Sequence, residues 1–114
     1  MIKNENRLKK NKHFKFIYKH GSTKSTKFVA LTYLKSKYSP YKVGFSVSKK
    51  IGKSVVRNKV KRRMREAFCA ISSCVDQTYN YIFSAKEGIQ NLTFVEIKQE
   101  INEVLKKCNL YDNN

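Results

Sequence analysis

Between Lys42 and Cys74 the hydrophobic period of the chain changes once, and the change falls at a glycine. From Lys42 to Lys49 the side chains alternate, with Val43, Phe45 and Val47 on one side and Gly44, Ser46 and Ser48 on the other, which is the period of a strand. Beyond Gly52, the residues Val56, Val60, Met64, Ala67, Phe68, Ile71 and Cys74 recur at about 100° per residue within an arc of about 120°, the dry side of one long helix. Ser54 is placed to cap that helix. A strand with one nearly bare side, feeding a helix with one dry side, calls for a sheet covered by helices.

The remaining elements complete the frame. Asn11 can cap a helix over Lys12 to His20, in which Phe14, Ile17 and Tyr18 share a side, Phe16 is displaced from it, and Gly21 supplies a left-handed stop. Lys27 to Lys35 is rich in β-branched and aromatic residues and runs into Ser-Lys-Tyr-Ser-Pro turn chemistry ending at Pro40, so it is a strand. Tyr79 to Ala85 is another. Thr93-Phe94-Val95-Glu96 has capping-box spacing for a final helix with Ile97, Ile101, Val104 and Leu105 inward. The order helix, strand, strand, strand, helix, strand, helix indicates an α+β or α/β sandwich. At 114 residues the chain suits one domain. It is expected over 11–108, after a mobile basic arm at 1–10 and before a frayed tail at 109–114.

The charge narrows the function. Lys and Arg number 25 against 8 Asp and Glu, a formal net charge of +17 that repels itself unless an anion is near. Nucleic acid, an anionic membrane and a merely solvated surface all satisfy that balance; its distribution favours the first. Arg57, Lys61 and Arg65 repeat at i, i+4 and i+8 beside Asn58 and Arg62, so the helix has a cationic side next to its dry one. Crowded cations of this kind read either as a solvated face or as a phosphate-binding one, and the second is favoured because only Glu66 stands against them.

The bare strand side, Gly44, Ser46 and Ser48, reads as close packing against a neighbour or as a floor for a nucleic-acid strand. Phe14, Phe16, Tyr18, Tyr33 and Tyr81 read as core or as stacking surfaces for unpaired bases. Asp76, Glu87, Glu96, Glu100 and Glu103 form no paired-carboxylate site, and His13 and His20 have no triad companion, so no catalytic residue and no metal site is expected in the chain itself. Cys69, Cys74 and Cys108 lack ligand spacing and read as reduced packing thiols. With no apolar signal segment and no stretch long enough to span a bilayer, a cytoplasmic protein without membrane contact is expected.

Val43-Gly44-Phe45-Ser46-Val47-Ser48-Lys49-Lys50-Ile51-Gly52, followed by Arg57-Asn58-Lys59-Val60-Lys61-Arg62, closely resembles the bacterial ribonuclease P protein family. The likeness runs upstream through Arg7-Leu8-Lys9 and Phe14 to Gly21, and downstream through Tyr81-Ile82-Phe83-Ser84-Ala85-Lys86 and Leu92-Thr93-Phe94. The family's signature has arginine where this chain has Lys59, which keeps the charge and forgoes the planar fork. The resemblance implies an α-β-β-β-α-β-α α+β two-layer sandwich with a left-handed βαβ crossover through the basic helix. It also implies a non-catalytic protein subunit that promotes tRNA 5′-end maturation while an RNA subunit, which binds most of the Mg²⁺, cleaves the phosphodiester. On that reading Lys49, Lys50, Arg57, Asn58, Lys59, Lys61, Arg62 and Arg65 contact the catalytic RNA. The 5′ leader of precursor tRNA lies in a cleft over Gly44, Ser46 and Ser48, rimmed by Phe14, Phe16 and Tyr18. A ribosomal or other structural RNA-binding protein is the nearest rival, and a DNA-binding regulator or stand-alone nuclease stands further off.

Overall fold

A computed structural model describes residues 2–36 and 41–111. Its regular elements are α1 (Asn11–His20), β1 (Ser22–Ser25), β2 (Val29–Lys35), β3 (Val43–Ser46), α2 (Ser54–Cys69), β4 (Tyr79–Ala85) and α3 (Phe94–Lys107). The strands form one sheet in the order β1-β2-β4-β3. β1 and β4 flank β2 as antiparallel partners, whereas β3 and β4 run parallel, with Val43 opposite Tyr81 and Ser46 opposite Ser84. Parallel neighbours need a crossover, and α2 is that crossover.

The strand period sorts side chains to two faces. Val29 and Leu31 of β2, Val43 of β3, and Tyr81 and Phe83 of β4 point to one face, where they join Val60, Met64, Ala67 and Phe68 of α2 and Ile97, Ile101, Val104 and Leu105 of α3 in the main core. Phe68 lies at its centre, with its ring 5.3 Å from that of Phe83 and 6.0 Å from that of Tyr81. Burial raises the Tyr81 phenol well above its ordinary pKa, with the charge of Asp76 adding to the effect, and its hydroxyl donates to the Asp76 carbonyl. The opposite face carries a small second core in which Leu8, Ile17 and Ile82 pack with Phe14 and Leu34, and α1 covers it. The sandwich proper is the sheet against α2 and α3; α1 roofs only part of the other side.

Several sequence expectations are corrected here. The pattern named three strands ahead of the basic helix but located two; the third is β1, a polar Ser-Thr-Lys-Ser segment with no alternation to reveal it. β3 ends at Ser46, so Ser48 lies beyond the strand, just ahead of a short 3-10 turn over Lys49–Ile51. α2 stops at Cys69, and Cys74, expected inside its dry arc, sits exposed at the end of a separate 3-10 turn. Val56 is 36% exposed, because the first turn of α2 overhangs the core it was assigned to. Neither Asn11 nor Ser54 caps a helix: each is the first helical residue, after Lys10 and Lys53. Gly21 has φ −84°, so it is no left-handed stop; a side chain there would meet the Ile17 and Tyr33 carbonyls. The capping box at Thr93 and Glu96 forms in full, and its hydrogen bonds hold the Glu96 carboxyl below its ordinary pKa.

The ends are docked as far as they are described. Residues 2–10, read from composition as a mobile arm, bury Ile2, Asn6 and Leu8. Asn6 Nδ2 donates to the Tyr41 carbonyl at 2.7 Å, and Arg7 bridges Val43 in parallel along the outer edge of β3. At the other end Leu110 is buried and Tyr111 bridges Val75, so the tail read as frayed is held through Tyr111. No helix among the described residues is long and apolar enough to cross a membrane.

Candidate nucleic-acid interface

Sequence composition already separates the molecule electrostatically: no Asp or Glu occurs between Asn6 and Arg65, and every acidic residue except Glu5 lies beyond that point. The fold gathers this acid-free part around β3. A cleft of about 510 Å³ opens there, with Gly44 and Ser46 in its floor, Phe14 and Tyr18 of α1 on one wall, and Lys61 and Arg65 of α2 on the other. Arg7, Lys9 and Asn11 close the end nearest the N-terminus.

Each wall has a local cause. Phe14 reaches over Gly44 so closely that a Cβ at that position would stand 2.5 Å from its ring, so glycine lets the aromatic wall meet the floor. Tyr18 is 45% exposed, and its hydroxyl is 3.0 Å from the Ser84 Oγ on β4. Ser46 pairs with Ser84, so a second small residue stands beside the floor at that rung. On the other side Gly52, at φ 154°, occupies a backbone region left almost entirely to glycine, and its carbonyl accepts from the Arg57 Nε at 3.1 Å. That turn sets the start of α2, and the helical repeat then carries Lys61 and Arg65 into the cleft.

The expected site residues therefore divide. Phe14, Tyr18, Gly44 and Ser46 share the cleft, and Lys61 and Arg65 join them. Asn58, Lys59 and Arg62 project into solvent from α2, with Lys49 and Lys50 exposed on the turn before it, while Arg57 is half-buried against Gly52. Ser48 is exposed and does not line the cleft. Phe16, expected on the rim of the cleft, does not line it: its displaced position in the helical repeat turns it to the other flank of α1. Tyr81 is fully buried and Tyr33 packs against the main core, so neither offers a stacking surface in the cleft. Arg63, part of the same basic run, donates to the Leu92 carbonyl at 3.3 Å and ties α2 to the start of α3. Arg7, Lys9 and Asn11 are not assigned to the site from sequence; Arg7 and Lys9 signal only as positive charge in the arm and as part of the family likeness, and the neutral Asn11 only as a helix cap.

Among the described residues no three His, Cys, Asp or Glu side chains cluster to hold a metal, and the cleft lining carries no carboxylate. Cys108 is buried, and that burial pushes its thiol pKa up.

The chain matches the Ribonuclease P family model over residues 2–109. The chain belongs to the ribonuclease P protein family. Its relatives include the ribonuclease P protein component of Caldanaerobacter subterraneus subsp. tengcongensis, 41% identical over 93% of this chain and 91% of that one. The ribonuclease P protein component of Clostridium botulinum is 36% identical over 95% and 98%. The solved RNase P protein of Staphylococcus aureus superposes with a TM-score of 0.86 at 31% identity, covering 94% of this chain and 98% of that one. The RNase P protein of Thermotoga maritima shares the fold at 22% identity, with a TM-score of 0.80 over 89% and 96% of the two chains. Ribonuclease P proteins thus keep this arrangement of helices and sheet across wide sequence divergence.

Proposed function

We propose that this protein component of ribonuclease P holds the single-stranded 5′ leader of precursor tRNA in the cleft between α1 and α2, while the solvent-facing cations of α2 bind the catalytic RNA. RNA supplies the catalysis of tRNA 5′-end maturation; the protein supplies charge and shape. The observation that carries the leader assignment is the composition of the cleft. A floor of Gly44 and Ser46 leaves room for a strand, Phe14 and Tyr18 offer ring faces to bases of any identity, and Lys61 and Arg65 meet the backbone phosphates.

Asn58, Lys59 and Arg62, with Lys49 and Lys50, form the second contact region, where point charges and a guanidinium fork offset the repulsion between two folded RNAs. Mg²⁺ belongs to the RNA on this reading, since a hard cation seeks oxygen ligands and the cleft offers it no carboxylate. The three free thiols suit the reducing cytoplasm, where we place the activity.

The test is Ser46→Phe in the reconstituted holoenzyme. The added ring should fill the groove and weaken binding of leader-bearing precursor tRNA by about fivefold or more, the equivalent of one lost stacked base, with binding of mature tRNA little changed. The measured quantity is the ratio of the two affinities, beside a thermal-unfolding control because an added aromatic can overpack a domain. A folded variant with the wild-type ratio would place the leader elsewhere.

A further inference from the structure

A second concavity of about 670 Å³ lies on the far flank of α1, lined by His13, Phe16 and His20 from the helix and by Leu34, Lys42 and Asn80 from the end of the sheet. Phe16 is 51% exposed there, and its ring lies 4.5 Å from that of His20, leaving an aromatic surface turned outward. An exposed phenylalanine on a helix that also buries Ile17 is unneeded for folding and well suited to stacking.

Two observations select its occupant. The first is charge: no carboxylate lines the groove, and Lys42 stands at its rim. Lys42 is held in position, its Nζ donating to the Glu5 carbonyl at 2.7 Å, whereas Lys35 carries its Nζ to the closed face of the sheet, 5.8 Å from the centre of the Tyr79 ring. The second is continuity. Leu8 lines both this groove and the cleft, Asn11 lines the cleft and His13 the groove, so a chain leaving the cleft over the first turn of α1 enters the groove directly. That turn has no side-chain cap, and its leading N–H groups favour a passing phosphate.

We propose that this groove takes leader nucleotides lying 5′ of those in the cleft, with a base stacked on Phe16 and the backbone steered by Lys42. The inference rests on the leader reading of the cleft and extends its path around the N-terminus of α1. The experiment uses reconstituted holoenzyme and precursor tRNAs whose leaders lengthen one nucleotide at a time. Wild-type affinity should rise in a second step once the leader outgrows the cleft. Phe16→Ala should keep the affinity for short leaders and forfeit that second step, by about fivefold, and Phe16→Trp should restore it. A 2-aminopurine placed at the distal leader positions should be quenched by the wild type and released by Phe16→Ala.

Affinity that is unchanged by Phe16→Ala at every leader length overturns the proposal. So does an equal loss at every length including mature tRNA, which would assign the groove to the catalytic RNA. Ser46→Phe separates the two readings: if it lowers the leader-to-mature ratio while Phe16→Ala is silent, only the groove inference falls, and if both leave that ratio untouched, the cleft reading falls with it.

Discussion

One face of the sheet carries Val29, Leu31, Val43, Tyr81 and Phe83, shut beneath α2 and α3; the other carries Gly44, Ser46 and Ser84, half open beside α1. The same strands supply both rows, since neighbouring residues point opposite ways. The difference between the rows divides labour. Large apolar side chains on the first face each gain about 1.5–3 kcal/mol from burial and hold the domain together. Small side chains on the second contribute little burial and leave a vacant strip, which becomes useful because cations and rings surround it. The two faces can therefore be perturbed separately, and that separability is what the following variants probe.

The largest effect is expected on the closed face. Phe68→Ala removes a fully buried ring touching Tyr41, Phe45, Tyr81 and Phe83, and should cost about 3–5 kcal/mol of stability in denaturant unfolding. At temperatures where the variant stays folded, its leader-to-mature tRNA affinity ratio should match wild type. A folded Phe68→Ala protein with a collapsed ratio would show that the faces are coupled.

Next comes the charged wall. Replacing Lys61 and Arg65 by Gln should leave unfolding within about 0.5 kcal/mol, as surface changes do. Precursor-tRNA binding should weaken, and the slope of log affinity against log salt should become shallower by about 0.7 for each lost contact to a single-stranded phosphate. If the slope does not move, the two side chains do not meet phosphate.

The smallest effect sharpens the comparison from the far side. Thr93→Ala deletes the hydroxyl that accepts from the Glu96 N–H at the start of α3, a helix that belongs wholly to the closed face. A loss of about 1 kcal/mol is expected by thermal or urea unfolding, with RNA affinity and salt slope unchanged. An altered salt slope would mean that α3 also takes part in binding.

How much of this was legible in the sequence varied with the physics behind each signal. The closed face was readable because a large apolar side chain advertises its burial by periodicity: Val60, Met64 and Phe68, and Ile97, Ile101 and Leu105, all lie where the repeat put them. The cleft was half readable. Gly44 and Ser46 appear as an empty register in a strand, and Phe14 and Tyr18 as the same side of a short helix, but their meeting with Lys61 and Arg65 depends on how α2 crosses back, which local sequence does not specify. β1 was invisible because four polar residues at a sheet edge need only backbone pairing. The docked arm was hidden for the opposite reason: Lys3, Arg7, Lys9 and Lys10 dominate its composition, while its attachment rests on two small apolar anchors, Ile2 and Leu8, and on Asn6. Helix starts were misjudged by one residue where no side-chain cap forms, at Lys10 and Lys53, and placed correctly at Thr93, where one does.

The parallel bridge between Arg7 and Val43 also bears on how the protein survives before it meets RNA. β3 is an outermost strand, and an outermost strand with unpaired amides is a template on which another chain can align. The Leu8 amide already occupies the Val43 carbonyl at 2.9 Å, and the segment that delivers it is studded with lysine and arginine. At the opposite border β1 is four residues long and displays Lys24. Both borders of the sheet are thus guarded against recruitment of a second copy, one by a covering strip of the chain's own N-terminus and one by brevity and charge. A protein that must wait, unneutralised and with a grooved surface, for its RNA keeps its backbone out of reach of its own kind.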